Sequence, residues 1–150
     1  MIPFDFKIRD FVQEDIDFIH NSWITSFYHF FKNKGIDKNW FCAAQDSLIK
    51  TMLSNNGRAK IVCQKSDEEQ IFGYIVYELP NIVHWIYVKK IYRMNGLAMA
   101  MLENVFNFFK KDKIFVSVST PFFRHHKNEW NIEFKSNLIL RITHYSKDFK

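Results

Sequence analysis

The feature that most restricts the fold lies at residues 82–102, IVHWIYVKKIYRMNGLAMAML. Ile82 to Val88 is an apolar run of strand length, and a basic step leads to Arg93, Gly96 and Ala98 before small and long apolar residues continue without a break. The pattern predicts a helix to about Lys111 and a further strand from Ile114 to Ser119. Strand, helix, strand in this order builds a parallel pair, because parallel neighbours need a crossover connection. The turn also carries chemistry. Where a strand passes into a helix, the first helical N–H groups lack intrahelical partners and point outward with the positive end of the dipole, which suits phosphate. Gly96 and Ala98 keep the approach clear, and Arg93 offers a fork of donors. Glycine ahead of a helix also occurs for packing alone, so packing and phosphate both fit these residues.

The flanks extend the pattern. Phe4, Phe6 and Ile8 alternate with Asp5, Lys7 and Arg9, the period of a half-buried first strand. From Gln13 the period turns helical through Ile16, Ile19, His20 and Trp23 toward Phe27 and Phe31, and Gly35 breaks it. A second helix is expected from about Lys38 to Leu53. Ala59 to Gln64 and Ile71 to Leu79 flank the polar turn KSDEEQ and predict an antiparallel hairpin. After Ser119, residues 121–128 read as a loop or short helix, and Trp130 to Phe134 with Leu138 to Tyr145 as a final strand pair. Without a linker, repeat or low-complexity tract, 1–150 is expected to form a single compact α/β domain.

Composition excludes some classes. A hydrophobic fraction of 47% and a charged fraction of 25% are those of a folded soluble chain, and 17 phenylalanines are best placed in its core. Cys42 and Cys63 lack metal or redox spacing, and no apolar stretch is long enough for a bilayer span. The opening MIPFDFKIRD alternates charge where a signal peptide is apolar, so a cytoplasmic protein without membrane attachment is expected. The net charge of +5 selects no partner, and aromatic and basic residues are not interleaved as in a nucleic-acid module.

Arg93-Met94-Asn95-Gly96-Leu97-Ala98, entered from the apolar strand at Val88, resembles the acetyl-CoA-binding motif of the GCN5-related N-acetyltransferase (GNAT) superfamily, Arg/Gln-x-x-Gly-x-Gly/Ala. The opening IRDFVQEDIDFIHNSW is similar to that family's first strand and helix. The resemblance implies a mixed, mostly antiparallel sheet of six to seven strands with one splayed parallel pair, Ile82–Val88 and Ile114–Ser119, and helices on both faces. It implies acetyl-CoA as co-substrate and no metal. The pyrophosphate would lie on the amides of about Asn95, Gly96, Leu97 and Ala98, with Arg93 and Met94 beside them, and the pantetheine arm along Ile86, Tyr87 and Val88. An amine of a small molecule or protein would attack directly, in a monomer or homodimer. The compact size and the Phe, Lys and Asn skew also resemble acetyltransferase-like proteins of bacteriophages, whose setting would be the host cytoplasm.

An ammonium must lose a proton before it attacks, so a base is sought. His84 fits by its ordinary pKa, and simple alternation places it on one face with Ile86 and Val88. A histidine in a strand also serves packing. Glu78, ending the preceding strand, is a second candidate. The segment TPFFRHHKNEWNIEF lacks the tyrosine with which the family protonates the leaving thiolate, leaving His125 or His126 as substitutes, or an unassisted thiolate. The pair also reads as a solvated basic loop and only weakly as a metal site. The missing acid keeps open a second reading, a catalytically weak or inactive GNAT-fold protein that binds or regulates a partner. In the family the first helices wall the acceptor cleft, which implies Trp23, Tyr28 and His29 as substrate contacts, although their helical spacing equally suits a core.

Overall fold

Alternation along the strands sorts the side chains into two layers. The computed structural model describes residues 3–29, 35–54, 57–106 and 113–135. Its elements follow in the order β1 (Phe6–Asp10), α1 (Ile16–His29), α2 (Lys38–Ser54), β2 (Arg58–Gln64), β3 (Asp67–Glu78), β4 (Ile82–Val88), α3 (Leu97–Phe106), β5 (Ile114–Val116), α4 (Pro121–His125) and β6 (Ile132–Phe134). One six-stranded sheet keeps the strands in sequence order. The first four pair antiparallel, whereas β5 joins β4 and β6 joins β5 in parallel. This is the mixed α+β sheet that the sequence predicts. On one face Ile19 and Trp23 of α1 and Ile49 and Met52 of α2 bury against Ile61, Tyr74, Val76 and Trp85. On the other, Leu97, Met101 and Leu102 of α3 and Phe123 of α4 bury against Ile75, Tyr77, Val83 and Val116.

The junction of β1 with α1 is fixed by charge. Arg9 forks onto the buried Asp15 through Nη1 at 2.8 Å and Nη2 at 2.9 Å, and the amide of Val12 donates to the same carboxylate at 2.9 Å. Asp15 closes a 3-10 turn over Gln13–Asp15 that leads into the helix.

Three elements depart from the sequence reading. The turn between β2 and β3 is tighter than KSDEEQ: β3 begins at Asp67, and its polar start is held by Lys7 on Glu68 and by Arg9 on the Glu68 carbonyl. β5 ends at Val116 rather than Ser119, because its ladder with β4 stops at Val83↔Val116 while β4 runs on to Val88. β4 is also not a simple alternating strand. Tyr77 pairs with Val83 and Val76 with Trp85, so His84 is an extra residue, a β-bulge. Val83, Ile86 and Val88 consequently all pack toward α3, and Trp85 and Tyr87 toward α1. The expected common face of His84, Ile86 and Val88 is corrected here, since the bulge takes His84 out of their alternation. The predicted strand Leu138–Tyr145 and the end of the predicted helix, residues 107–111, lie outside the described residues.

Candidate functional site

The site is built where β4 and β5 part. The amide of Ser117 donates to the carbonyl of Val83 at 3.2 Å, the last rung between the two strands. Beyond it the β4 edge opens. Lys89 donates its amide to Phe72 of β3 at 2.8 Å, and the Tyr87 carbonyl faces Gly73. Both neighbours of Val88 thus turn toward β3. The Val88 carbonyl turns to the opposite edge, where Arg93 Nε donates to it at 2.7 Å. Ile86, Tyr87 and Val88 are half-buried along this edge.

The turn that follows is folded by its own polar groups. A 3-10 turn at Lys90–Tyr92 leads into residues 93–96, and Asn95 Nδ2 donates to the carbonyls of Tyr92 and Arg93. Gly96 adopts φ +85°, a conformation that costs any residue with a Cβ, and its carbonyl takes the amide of Ala100 at 3.0 Å as the first bond of α3. The amides of Leu97, Ala98 and Met99 therefore stand ahead of the first helical bond. Met94, at φ +67°, is fully exposed. Arg93 is exposed, with its guanidinium 5.8 Å from the Tyr87 ring centre, and Lys89 and Lys90 flank the turn. Cationic side chains and the leading helical amides together form a surface whose chemistry fits a pyrophosphate, and the strand edge fits an amide-bearing arm.

Inside the vertex of the splay lies a polar triad. His84 Nε2 is 2.7 Å from Glu78 Oε2, and His84 Nδ1 is 2.8 Å from Ser117 Oγ. All three are buried, His84 completely. The end of β3, the bulge of β4 and the residue just after β5 each supply one member. Two of the three, His84 and Glu78, are residues singled out in the sequence. Ser117 is not, and no linear pattern pairs position 117 with position 84; only the strand order does.

The remaining candidates are placed elsewhere. His125 is exposed on α4 in edge contact with the His126 ring, and among the described residues it makes no hydrogen bond to the triad. His126 stacks on Trp130 at 4.1 Å and meets Glu129 at 3.1 Å. Trp23 is buried and stacked on Trp85 at 5.4 Å, with Phe27 packed against Trp85 and Phe41. Tyr28 is half-buried against Phe41, and His29 is exposed at the end of α1. Among the described residues no group of three or more His, Cys, Asp or Glu side chains is placed to hold a metal. A separate concavity of about 530 Å³ lies between the start of α1 and the end of α2, where burial lowers the pKa of His20 against the opposing pull of Asp46.

No family model and no curated protein matches the chain by sequence. Solved structures do match in shape. An assigned acetyl transferase from Pyrococcus furiosus superimposes with a TM-score of 0.65 at 17% identity, covering 82% of this chain and 90% of its own. A GCN5-related N-acetyltransferase from Rhodopseudomonas palustris gives 0.50 at 12% identity, with 69% and 64% covered. The chain has the GNAT fold. A predicted acetyltransferase from Clostridium acetobutylicum, solved with acetyl-CoA, shares this GNAT fold with a TM-score of 0.55 at 16% identity, over 85% of this chain and 90% of its own. Among the described residues, no helix of this GNAT-fold chain is long and apolar enough to cross a membrane.

Proposed function

We propose that the protein is an acetyl-CoA-dependent N-acetyltransferase, with residues 1–150 acting as one domain, that acetylates a primary amine of a small molecule or protein by direct attack. The observation that carries this reading is the coincidence of two features. Among the described residues β4 has no strand partner on its outer edge from Ile86 to Val88, and the chain passes through the 3-10 turn into the Arg93–Gly96 turn, which is followed by helical amides that precede the first helical bond. A ligand with a phosphate end and a long amide-bearing arm satisfies both at once. When bound, acetyl-CoA supplies an activated acyl group. Arg93, Lys89 and Lys90 attract and hold the anionic end, the amides of Asn95 to Ala98 solvate it, and the edge of Ile86 to Val88 orients the arm toward the vertex. His84 is the base on which the proton of the acceptor's ammonium comes to rest, and Glu78 holds the imidazolium that results. Tyr28 and His29 are proposed as the acceptor's wall, backed by the buried Trp23, with His125 as a proton donor to the thiolate.

The test is direct. Purified protein should melt at a higher temperature with acetyl-CoA, and should release free thiol when mixed with acetyl-CoA and a panel comprising an arylalkylamine, a polyamine, an amino sugar and a lysine peptide. No thermal shift with acetyl-CoA would sink the reading at its first step.

A further inference from the structure

His84 cannot meet an acceptor itself. Both of its ring nitrogens are already engaged, at 2.7 and 2.8 Å. Any proton that reaches it must come through one of its partners. Glu78 ends β3 opposite Ile82, at the end of β4 away from the gap. Ser117 stands on the last rung between β4 and β5, where the gap begins. A molecule whose anionic end sits on the 93–96 turn and whose arm runs back along the open edge travels from Val88 toward residue 84. That path is four residues of extended chain, roughly 13 Å, and it ends at Ser117.

Polarity runs the same way. A carboxylate only accepts hydrogen bonds, so Glu78 requires the proton of His84 on Nε2. Nδ1 is then a lone pair, and the Ser117 hydroxyl must donate to it. The Ser117 oxygen is left with its own lone pairs free to accept. We infer that Ser117 is the catalytic residue that receives the acceptor's proton, and that Ser117, His84 and Glu78 form a buried relay. This rests on the acetyl-transfer reading. In the step, the ammonium gives one proton to Ser117 Oγ as the Ser117 O–H proton passes to His84 Nδ1. The freed amine forms its N–C bond to the acetyl carbon while the C–S bond breaks. The nitrogen's surplus proton passes, with His125 as its carrier, to the sulfur, which leaves as thiol, and the imidazolium later returns its proton to solvent through Ser117.

Two measurements test the inference. Nitrogen NMR of the His84 imidazole in the unliganded wild-type protein should show N–H at Nε2 and a hydrogen-bonded lone pair at Nδ1, with the Nδ1 resonance moving in Ser117→Ala. A proton on Nδ1, which would make Ser117 the acceptor, overturns the relay without reference to turnover. In the amine panel, Ser117→Ala should lower kcat by about 100-fold or more while the thermal shift with acetyl-CoA and the KM for the amine stay at wild-type values. Should that variant not fold, Ser117→Cys, which keeps the volume and only a weak donor, should show the same selective loss of kcat. Full kcat in the serine variants, or a trapped acetyl ester on Ser117, overturns the relay while leaving acetyl transfer intact. A wild-type protein that ignores acetyl-CoA or acetylates no amine overturns the functional reading, and the relay's role with it.

Discussion

Replacing Gly73 by alanine should loosen the strand pair that presents the open edge. A Cβ at Gly73 would stand 2.2 Å from the Tyr87 carbonyl oxygen, 3.0 Å from Val88 Cα and 3.2 Å from the Tyr87 carbonyl carbon. All three are backbone atoms, so no rotamer relieves the clash, and β4 must retreat by about 1 Å to reach ordinary contact. That movement strains the neighbouring bond from Lys89 N to the Phe72 carbonyl, now 2.8 Å. Overpacking of this kind costs about 1–3 kcal/mol, and a weakened ladder bond adds up to about 1 kcal/mol. With a urea slope near 2 kcal/mol/M, the unfolding midpoint should fall by about 0.5–2 M. Tryptophan fluorescence is a suitable reporter, since Trp23 and Trp85 stack in the core beside the same strand. Because Val88 is the residue displaced, affinity for acetyl-CoA should fall as well. A variant with the wild-type midpoint would refute the claim that this glycine is required by the close approach of β4.

Gly96→Ala forces a Cβ into φ +85° at the head of α3, a cost of about 1–2 kcal/mol. If the turn relaxes to avoid that cost, the amides turn away and acetyl-CoA affinity, followed by calorimetry, should drop by about tenfold; unchanged affinity would count against the phosphate role. Asp15→Asn should destabilise the fold by roughly 1.5–3 kcal/mol at neutral pH. Burial pushes the Asp15 carboxyl up, but the Arg9 fork, the Val12 amide and the charge of Arg9 together hold it below the usual range. A lowered pKa stabilises the fold above the ordinary carboxylate value and loses that contribution as pH falls through the folded one. The gap between wild type and Asp15→Asn should therefore persist down to about pH 4 and close below it, and a gap independent of pH would contradict the ion-pair account.

Much of this arrangement was legible in the residues. Ile82 and Val88 bound β4 where the apolar run begins and ends, and Gly96 sits at the head of α3 where the strand-to-helix pattern changes period. Those features rest on local hydrophobic periodicity and on backbone demands that only small residues meet. Two features were hidden for a shared reason. The bulge at His84 and the pairing of His84 with Ser117 arise from registry between strands, and residues 33 positions apart carry no mutual signature. β5 ending at Val116 has the same origin, because VSVST alternates well enough for a longer strand and stops pairing only after Val83↔Val116, where the bulge in β4 begins. The aromatic residues of α1 show a further limit. Helical spacing brought Trp23 and Phe27 to one face, and their stack on Trp85 followed from which strand lies beneath that face.

The bulge at His84 acts as a phase change in a period-two code. Before it, odd-numbered Val83 points toward α3; after it, even-numbered Ile86 and Val88 do. Deleting that one position would therefore leave Val83, Trp85, Ile86, Tyr87 and Val88 in the layers they now occupy, in plain alternation and unbroken register with β3, and remove the imidazole alone. Ironing the bulge out with His84 kept would instead force either the first two residues of β4 or its last four to exchange layers, the latter sending the Trp85 ring toward α3. The bulge thus seats a buried imidazole without disturbing the apolar sorting of the sheet. In β4 the count of residues carries as much information as their identities.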